Sequence, residues 1–269
     1  MLLPPPQTLL LRLRLLALLA LLHSDAASSQ RPIPGADPSG KRDSSAALND
    51  WLRMLCADPG THAAPGQRIL DLEAGTYRLD EPLVIDSSVN CTGPLRVRGG
   101  TLLAGVGLAE DRFLVEAVHR NYDRVIGMPL SFEHVVFASN HIGGGLLVND
   151  SSFTTVADCN FVNFATFGIW TSGADFRLDR SVLIECTDGM TNCAGPLQAT
   201  AMYIDGADSH FNRNVVACTH VGFVNANGDN FYHVRAHPRP PSYPHSHQQQ
   251  TIVQCTASSR LLHGLTNAD

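Results

Sequence analysis

The chain has 269 residues, 44% of them hydrophobic and 16% charged, with a formal charge of −6. That is enough apolar material for one sizeable core, and the acidic balance argues against nucleic acid as a partner. With 22 Gly and 16 Pro, the composition fits a β-rich chain with many turns better than a helical one.

The N-terminus reads as a targeting segment. Arg12 and Arg14 precede an unbroken apolar run, Leu15 to Leu22, and Ser24 and Ala26 stand at the −3 and −1 positions of a cleavage site. Such a run is too short for a hydrocarbon core of about 30 Å but has the length of a signal-peptide core. The alternative, a buried helix, would be isolated by Pro4-Pro5-Pro6 and the Ser/Pro-rich stretch that follows. Residues 1–27 are therefore expected to be a signal peptide. The mature protein is expected to be secreted, extracellular or in the cell wall, with no membrane span.

Residues 28–43 form a polar lead-in. Ser44 or Ser45 then caps a helix from Ala46 to Cys56, whose Ala47, Leu48, Trp51, Leu52 and Leu55 follow the i, i+3, i+4 rule. Short apolar strands follow at Ile69–Leu72, Thr76-Tyr77, Pro82–Ile85, Leu95–Val97 and Thr101–Leu103, with Gly99-Gly100 as a tight corner. Leu130 to Phe137 opens a regular array.

That array repeats one phrase. Gly168-Ile169-Trp170 leads to Gly173-Ala174-Asp175; Ala201-Met202-Tyr203 leads to Gly206-Ala207-Asp208; Gly222-Phe223-Val224 leads to Asn227-Gly228-Asp229. A weaker copy starts at Gly145-Leu146-Leu147. Strand-turn-strand units recurring at this spacing, too short for a crossover helix, indicate a solenoid. The fold class is thus all-β: a single-stranded right-handed parallel β-helix of about seven coils over 44–269. An open solenoid end exposes strand edges and core, so the 46–56 helix is the expected N-terminal cap. After Thr251-Ile252-Val253, either further coils are missing or the cap is of an unfamiliar kind. Phe153, Phe176, Phe211 and Phe231 fall at like places in the repeat and are expected to form an internal aromatic stack.

Seven cysteines and a secretory context permit disulfides and leave at least one thiol free. Cys186 and Cys193 flank a loop and are the expected pair; Cys159 and Cys218 read as small core residues. Asn90-Cys91-Thr92 and Asn149-Asp150-Ser151 are glycosylation sequons. No metal site or cofactor is expected: the cluster His233, His237, His245, His247 lacks companion acids, and a monomer is expected.

The lead-in Gly35-Ala36-Asp37-Pro38-Ser39-Gly40, the Asp43-Ser44-Ser45 pair before the helix and the Gly75-Thr76-Tyr77 corner resemble the entry of the pectate-lyase superfamily. Arg98–Leu102, Leu130–Glu133, Gly143–Gly145, Phe164–Ile169 and Thr200–Met202 resemble plant pectin-lyase-like proteins of the QUARTET class, described as divergent polygalacturonases. The resemblance implies an exported pectin-active glycoside hydrolase cutting α-1,4 galacturonan, with a pectic or related acidic polysaccharide as partner. The alternatives are a non-catalytic polysaccharide-binding β-helix and a pectin or pectate lyase. The Asn-Thr-Asp, Asp-Asp, Gly-His-Gly and Arg-Ile-Lys runs of typical polygalacturonases are absent, and Tyr203 stands where the resemblance implies an acid.

The candidate catalytic residues are Asp188, His220 and Asp205. Asp188 lies in a long excursion, 187–199, and His220 just precedes a repeat; a histidine there could hold a carboxylate or relay a proton. A second excursion, 236–250, also precedes an apolar triplet, so both are expected on one side of the solenoid as groove walls. Thr166, Thr200, Thr219 and Tyr243 are the candidate substrate-binding residues. Asp175, Asp208 and Asp229 are open to two readings, a catalytic ladder or turn-forming residues; Gly/Ala-Asp favours the second.

Overall fold

A computed structural model of the chain describes residues 33–57, 68–86, 89, 94–118, 129–149, 153–173, 175–185, 199–206, 209–217, 219, 221–227, 231–233 and 251–253. Residues 1–32 lie outside these.

The chain enters through β1 (Ser39–Asp43) and α1 (Ser45–Ala57). The first coil holds β2 (Arg68–Asp71), β3 (Thr76–Leu79) and β4 (Leu83–Asp86). The second holds β5 (Leu95–Arg98), β6 (Thr101–Ala104) and β7 (Phe113–Val118). The third holds β8 (Leu130–Glu133), β9 (Val136–Ala138) and β10 (Gly144–Asn149). The fourth holds β11 (Thr154–Ala157), β12 (Asn160–Val162) and β13 (Phe167–Ser172). The fifth holds β14 (Arg177–Asp179), β15 (Val182–Ile184) and β16 (Thr200–Asp205). The sixth holds β17 (His210–Asn212), β18 (Val215–Ala217) and β19 (Val221–Asn227), and β20 (Phe231–His233) and β21 (Thr251–Val253) follow.

Each strand pairs in parallel with its counterpart one coil away. The result is three sheets: seven strands from β2 to β20, eight from β1 to β21, and six from β4 to β19. This is the right-handed parallel β-helix expected from the repeat. Side chains alternate across a strand, and the recurring buried–half-buried pattern, as in Leu95–Arg98 and Leu130–Glu133, sends every second residue into the lumen. Register then stacks like on like. Leu70, Val97, Phe132, Val156, Leu178 and Phe211 form one internal ladder. Leu102, Phe137, Phe161, Leu183 and Val216 form a second.

The internal aromatic packing exists and includes two of the four expected rings, Phe176 and Phe211, together with rings that were not expected. Phe137 and Phe161 lie face to face at 4.4 Å and 6°. Phe176 and Phe211 are buried and 6.1 Å apart, yet Phe211 is in register with Leu178, two residues beyond Phe176. Phe153 is 49% exposed in a left-handed turn conformation, and the side chain of Phe231 lies outside the described residues. A spacing count cannot see a shift in phase of one residue, and that shift turns a side chain from lumen to solvent.

The corner between the seven- and eight-stranded sheets is bent by a left-handed residue in every coil: Glu73 and Ala74, Gly99 and Gly100, His134, Asp158, Arg180, Arg213. Most are not glycine, and the strain is met by stacked hydrogen bonds: Gly99 N–H donates to Glu133 O at 2.9 Å, Asp158 to Asp179 O at 3.0 Å and Arg180 to Asn212 O at 3.0 Å. Asp175 has a φ of 58° between β13 and β14, which fits its turn reading.

The helix caps the first coil as expected, packing against β2 and β4 and burying Leu48, Leu52, Leu55 and Cys56. Its side-chain cap sits one residue upstream of the expected serines. Asp43 Oδ1 accepts from Ser45 N at 3.0 Å, while Ser44 Oγ accepts from Asp37 N at 2.9 Å and ties down the lead-in. Asn49 secures the edge of the six-stranded sheet: its Nδ2 donates to Pro82 O at 3.0 Å and its Oδ1 accepts from Val84 N at 2.9 Å. Cys56 is disulfide-bonded, and Cys159 is free and buried, as its core reading requires. The expected Cys186–Cys193 pair, and Cys218, lie outside the described residues.

The two excursions do not leave the coil at one phase. Residues 187–199 join the eight-stranded to the six-stranded sheet, between β15 and β16, whereas 236–250 join the seven-stranded to the eight-stranded sheet, between β20 and β21. Thr251-Ile252-Val253 resembles the repeat triplet in composition, but it pairs with Val215-Val216-Ala217 of the eight-stranded sheet.

Candidate functional site

The outward face of the six-stranded sheet concentrates the unusual side chains. Register places Val84, Glu116, Leu147, Trp170, Tyr203 and Val224 in one row across it. All six are half-buried. They point outward because their neighbours Ala117, Val148, Thr171 and Ile204 fill the lumen. A second row follows two residues on: Asp86, Val118, Asn149, Ser172 and Asp205. Upstream, Phe113 is in register with Gly144, and Phe167 with Thr200.

Four rings meet on this face. Trp170 and Tyr203, in register on adjacent strands, stack at 5.9 Å with parallel planes. Phe167 meets Tyr203 edge-on at 5.9 Å. Phe113 and Phe167, one on each side of β10, still stack at 6.4 Å and 16°. They can do so because Gly144 lies between them: a Cβ there would be 2.5 Å from Phe113 Cε1. Aromatic pairs of this kind add about 0.5–1.5 kcal/mol each beyond burial, so the cluster is a firm surface rather than a set of loose side chains.

Beside the rings lies a hydrogen-bonding edge. Ser172 Oγ donates to Asn149 Oδ1 at 2.7 Å. At the other end, Arg112 grips Glu116 through two bonds of 2.7 and 2.8 Å, and Phe113 N–H donates to Glu116 Oε1 at 3.2 Å. The Glu116 carboxylate raises the pKa of the Arg112 guanidinium and keeps it charged. An apolar aromatic surface edged by amide, hydroxyl and carboxylate groups is the makeup of a site that holds an amphipathic ligand such as a sugar chain.

Thr166, Thr200 and Thr219 all lie at the corner between the eight- and six-stranded sheets, where 187–199 also leaves the coil. Thr200 N–H donates to Thr166 O at 2.8 Å, so these two share one edge of the face. Asp205 ends β16, half-buried, in register with Ser172 on one side and Asn227 on the other. Asn149, a sequon residue, stands within the face itself. Asp188, His220, Tyr243 and Asn90 lie outside the described residues. The corner before 236–250, which carries Tyr243, is a different one.

Among the described residues Asp205 has no second carboxylate on this face at the separation of an inverting pair, about 6.5–9.5 Å. Asp86 and Asp205 are four strand steps apart, roughly 19 Å at the usual strand spacing of about 4.8 Å. Glu116 and Asp205 are three steps apart, while Asp86 and Glu116 lie on adjacent strands two residues out of register, with Glu116 held by Arg112. Among the described residues no cluster of His, Cys, Asp and Glu could hold a metal ion.

Sequence reading missed the aromatic row. Its signal was the third residue of the repeated triplet, Leu147, Trp170, Tyr203, Val224, which is the outward position in every copy.

No family model matches the chain. Over 205 residues, 71% of this chain, it is 29% identical to "Polygalacturonase QRT3" of Arabidopsis thaliana. The chain is thus similar to a QUARTET-class protein, and its own fold is a parallel β-helix. It spans 41% of the length of that relative. It is also similar to a solved structure, "Geobacillus virus E2 - ORF18", with 10% identity, a TM-score of 0.43, and coverage of 72% of this chain and 48% of that one, too low a likeness to carry an argument. Among the described residues no helix is long and apolar enough to cross a membrane.

Proposed function

We propose that this QUARTET-like chain is an exported protein that binds a pectic-class polysaccharide along the outward face of the six-stranded sheet. The observation that carries this reading is the four-ring cluster Phe113, Phe167, Trp170 and Tyr203 beside the Asn149–Ser172–Asp205 edge. Sugar rings present C–H faces that pack on aromatic carbon and hydroxyls that bond to the polar row. Similarity to a polygalacturonase names the polymer class, and the signal-peptide pattern of residues 1–27 supplies export. Affinity electrophoresis in pectin gels tests it. Trp170→Ala and Tyr203→Ala should each weaken retardation about tenfold while leaving the melting temperature within a few degrees. Unchanged retardation in both, with the fold intact, would refute the assignment of this face.

Hydrolysis is a second reading, favoured by that similarity and by Asp205 at the end of the aromatic row. Asp205 would need a partner, for which Asp188 and His220 are the candidates. Asp205→Asn should then abolish reducing-sugar release from galacturonan while binding persists. Release of a product absorbing in the ultraviolet would instead mark β-elimination. Binding with no release at high protein concentration leaves the binding reading alone.

A further inference from the structure

Asn149 belongs to the outward face and also opens an Asn-x-Ser sequon, Asn149-Asp150-Ser151. It is half-buried at the end of β10, in the polar row of the sheet. Successive side chains of a strand point to opposite faces, and its neighbour Val148 fills the lumen, so the Asn149 amide stands outward. Ser172 Oγ donates to its Oδ1 at 2.7 Å. That bond fixes the amide and turns Nδ2, the atom that carries an N-linked glycan, away from Ser172. Nδ2 makes no hydrogen bond among the described residues and is not one of the buried polar atoms left unpaired, so it reaches solvent. The outward neighbours of Asn149 are Leu147 on its own strand, Val118 and Glu116 on β7, and Ser172 and Trp170 on β13. Trp170 lies one strand across and two residues back, roughly 8 Å between backbones, with its ring stacked on Tyr203. A sugar chain tethered at Nδ2 is therefore held over the rows in which a polysaccharide would lie.

We propose that the exported chain carries an N-linked glycan on Asn149 and that this glycan is the resident occupant of the outward face, covering Trp170 and competing with a polysaccharide for it. Attachment forms a bond between Asn149 Nδ2 and C1 of the first sugar and breaks the bond from C1 to the diphosphate of a lipid-linked oligosaccharide; the lipid diphosphate and one amide proton leave. Transfer during export precedes folding, so the half-buried position of Asn149 is no obstacle. In the folded chain the sugar must leave on the solvent side, because Ala117, Val148 and Thr171 fill the lumen. A short tether keeps it at an effective concentration of about millimolar over the rings, and a free polymer has to displace it. The competition rests on the binding reading above; the covering of Trp170 does not.

The test compares the full chain secreted from a eukaryotic host with its Ser151→Ala variant, which removes the sequon and keeps Asn149, its bond to Ser172 and the Asn90 sequon. Peptide mass spectrometry should find the glycan on Asn149; an unmodified Asn149 overturns the proposal. Hydroxyl-radical footprinting reads the covering without any polymer. Trp170 in the glycosylated chain should label at about half its rate in Ser151→Ala, or less, with Trp51, the other tryptophan, as internal reference; equal rates overturn the covering. In pectin gels Ser151→Ala should bind at least about threefold more tightly than the glycosylated chain. Trimming by an endoglycosidase that leaves a single N-acetylglucosamine should move the glycosylated chain part-way there. Equal retardation of both forms overturns the competition. Protection of Trp170 with neither form retarded supports the covering and overturns the polysaccharide reading instead. Asn149→Gln, which also lacks the glycan, repeats each comparison if Ser151→Ala does not fold.

Discussion

Adding one methyl group at each of two adjacent glycines in β10 should separate the binding face from the core. Neither Gly144 nor Gly145 has a left-handed backbone, so alanine is conformationally acceptable at both and the outcome depends on what the new Cβ meets. At Gly145 it would lie 2.5 Å from Gly168 O and 2.8 Å from Phe161 Cδ1. Phe161 is fully buried and stacked on Phe137, and Gly168 O is backbone, so neither can yield cheaply. Overpacking of this kind costs about 1–3 kcal/mol, or roughly 2–12 °C in melting temperature for a chain of this size. At Gly144 the Cβ would lie 2.5 Å from Phe113 Cε1 and 2.9 Å from Phe167 O. Phe113 lies outside the core cluster and can swing outward at the loss of the Phe113–Phe167 stack, about 0.5–1.5 kcal/mol, while the contact with the backbone Phe167 O adds to the cost. That movement breaks the aromatic surface, and pectin binding should fall by about two- to tenfold. Thermal melts and affinity electrophoresis of both variants check this. Gly145→Ala should lose stability and keep affinity once folded; Gly144→Ala should lose affinity as well as stability. Unchanged binding in folded Gly144→Ala, or a binding loss confined to Gly145→Ala, would refute the placement of Phe113 and Phe167 on a working face.

Two further outcomes follow from the core and the entry. Asp37 Oδ1 accepts from Ser39 Oγ at 2.7 Å and Ser39 N at 3.1 Å, and its Oδ2 accepts from Arg42 N at 2.8 Å. The Ser39 hydrogen bonds, first its hydroxyl and then its N–H, with help from Arg42, lower the pKa from 3.8 to about 2. A carboxylate depressed on folding stabilises above its unfolded pKa, and that contribution is lost as pH falls from about 4 to about 2. Asp37→Asn should flatten this part of the denaturant-midpoint profile against pH; an unchanged profile would show that the entry turn does not report on global stability. Burial pushes the Cys159 thiol up to about 12, so at pH 8 iodoacetamide should leave Cys159 unlabelled in the native protein and label it after unfolding, as read by peptide mass spectrometry. Rapid native labelling would contradict its closed position in the lumen.

The sequence by itself determined the repeating unit and therefore the class of fold. Apolar triplets recurring one coil apart admit stacking and little else, and the Leu48, Leu52, Leu55 stripe of the helix has one place to be buried. It also held the outward row in principle, because the third triplet residue has the same phase in every copy. The tertiary structure alone decided the register. Whether Phe153 or Phe137 enters the lumen depends on one-residue differences in corner length, which composition does not record. Pairing of Thr251-Ile252-Val253 with β18 moved the second excursion to another corner, because short apolar strands look alike until they choose a neighbour. The contact of Phe113 with Phe167 joins residues two coils apart through the space a missing side chain leaves at Gly144, and only the stacking of three coils makes that space meaningful.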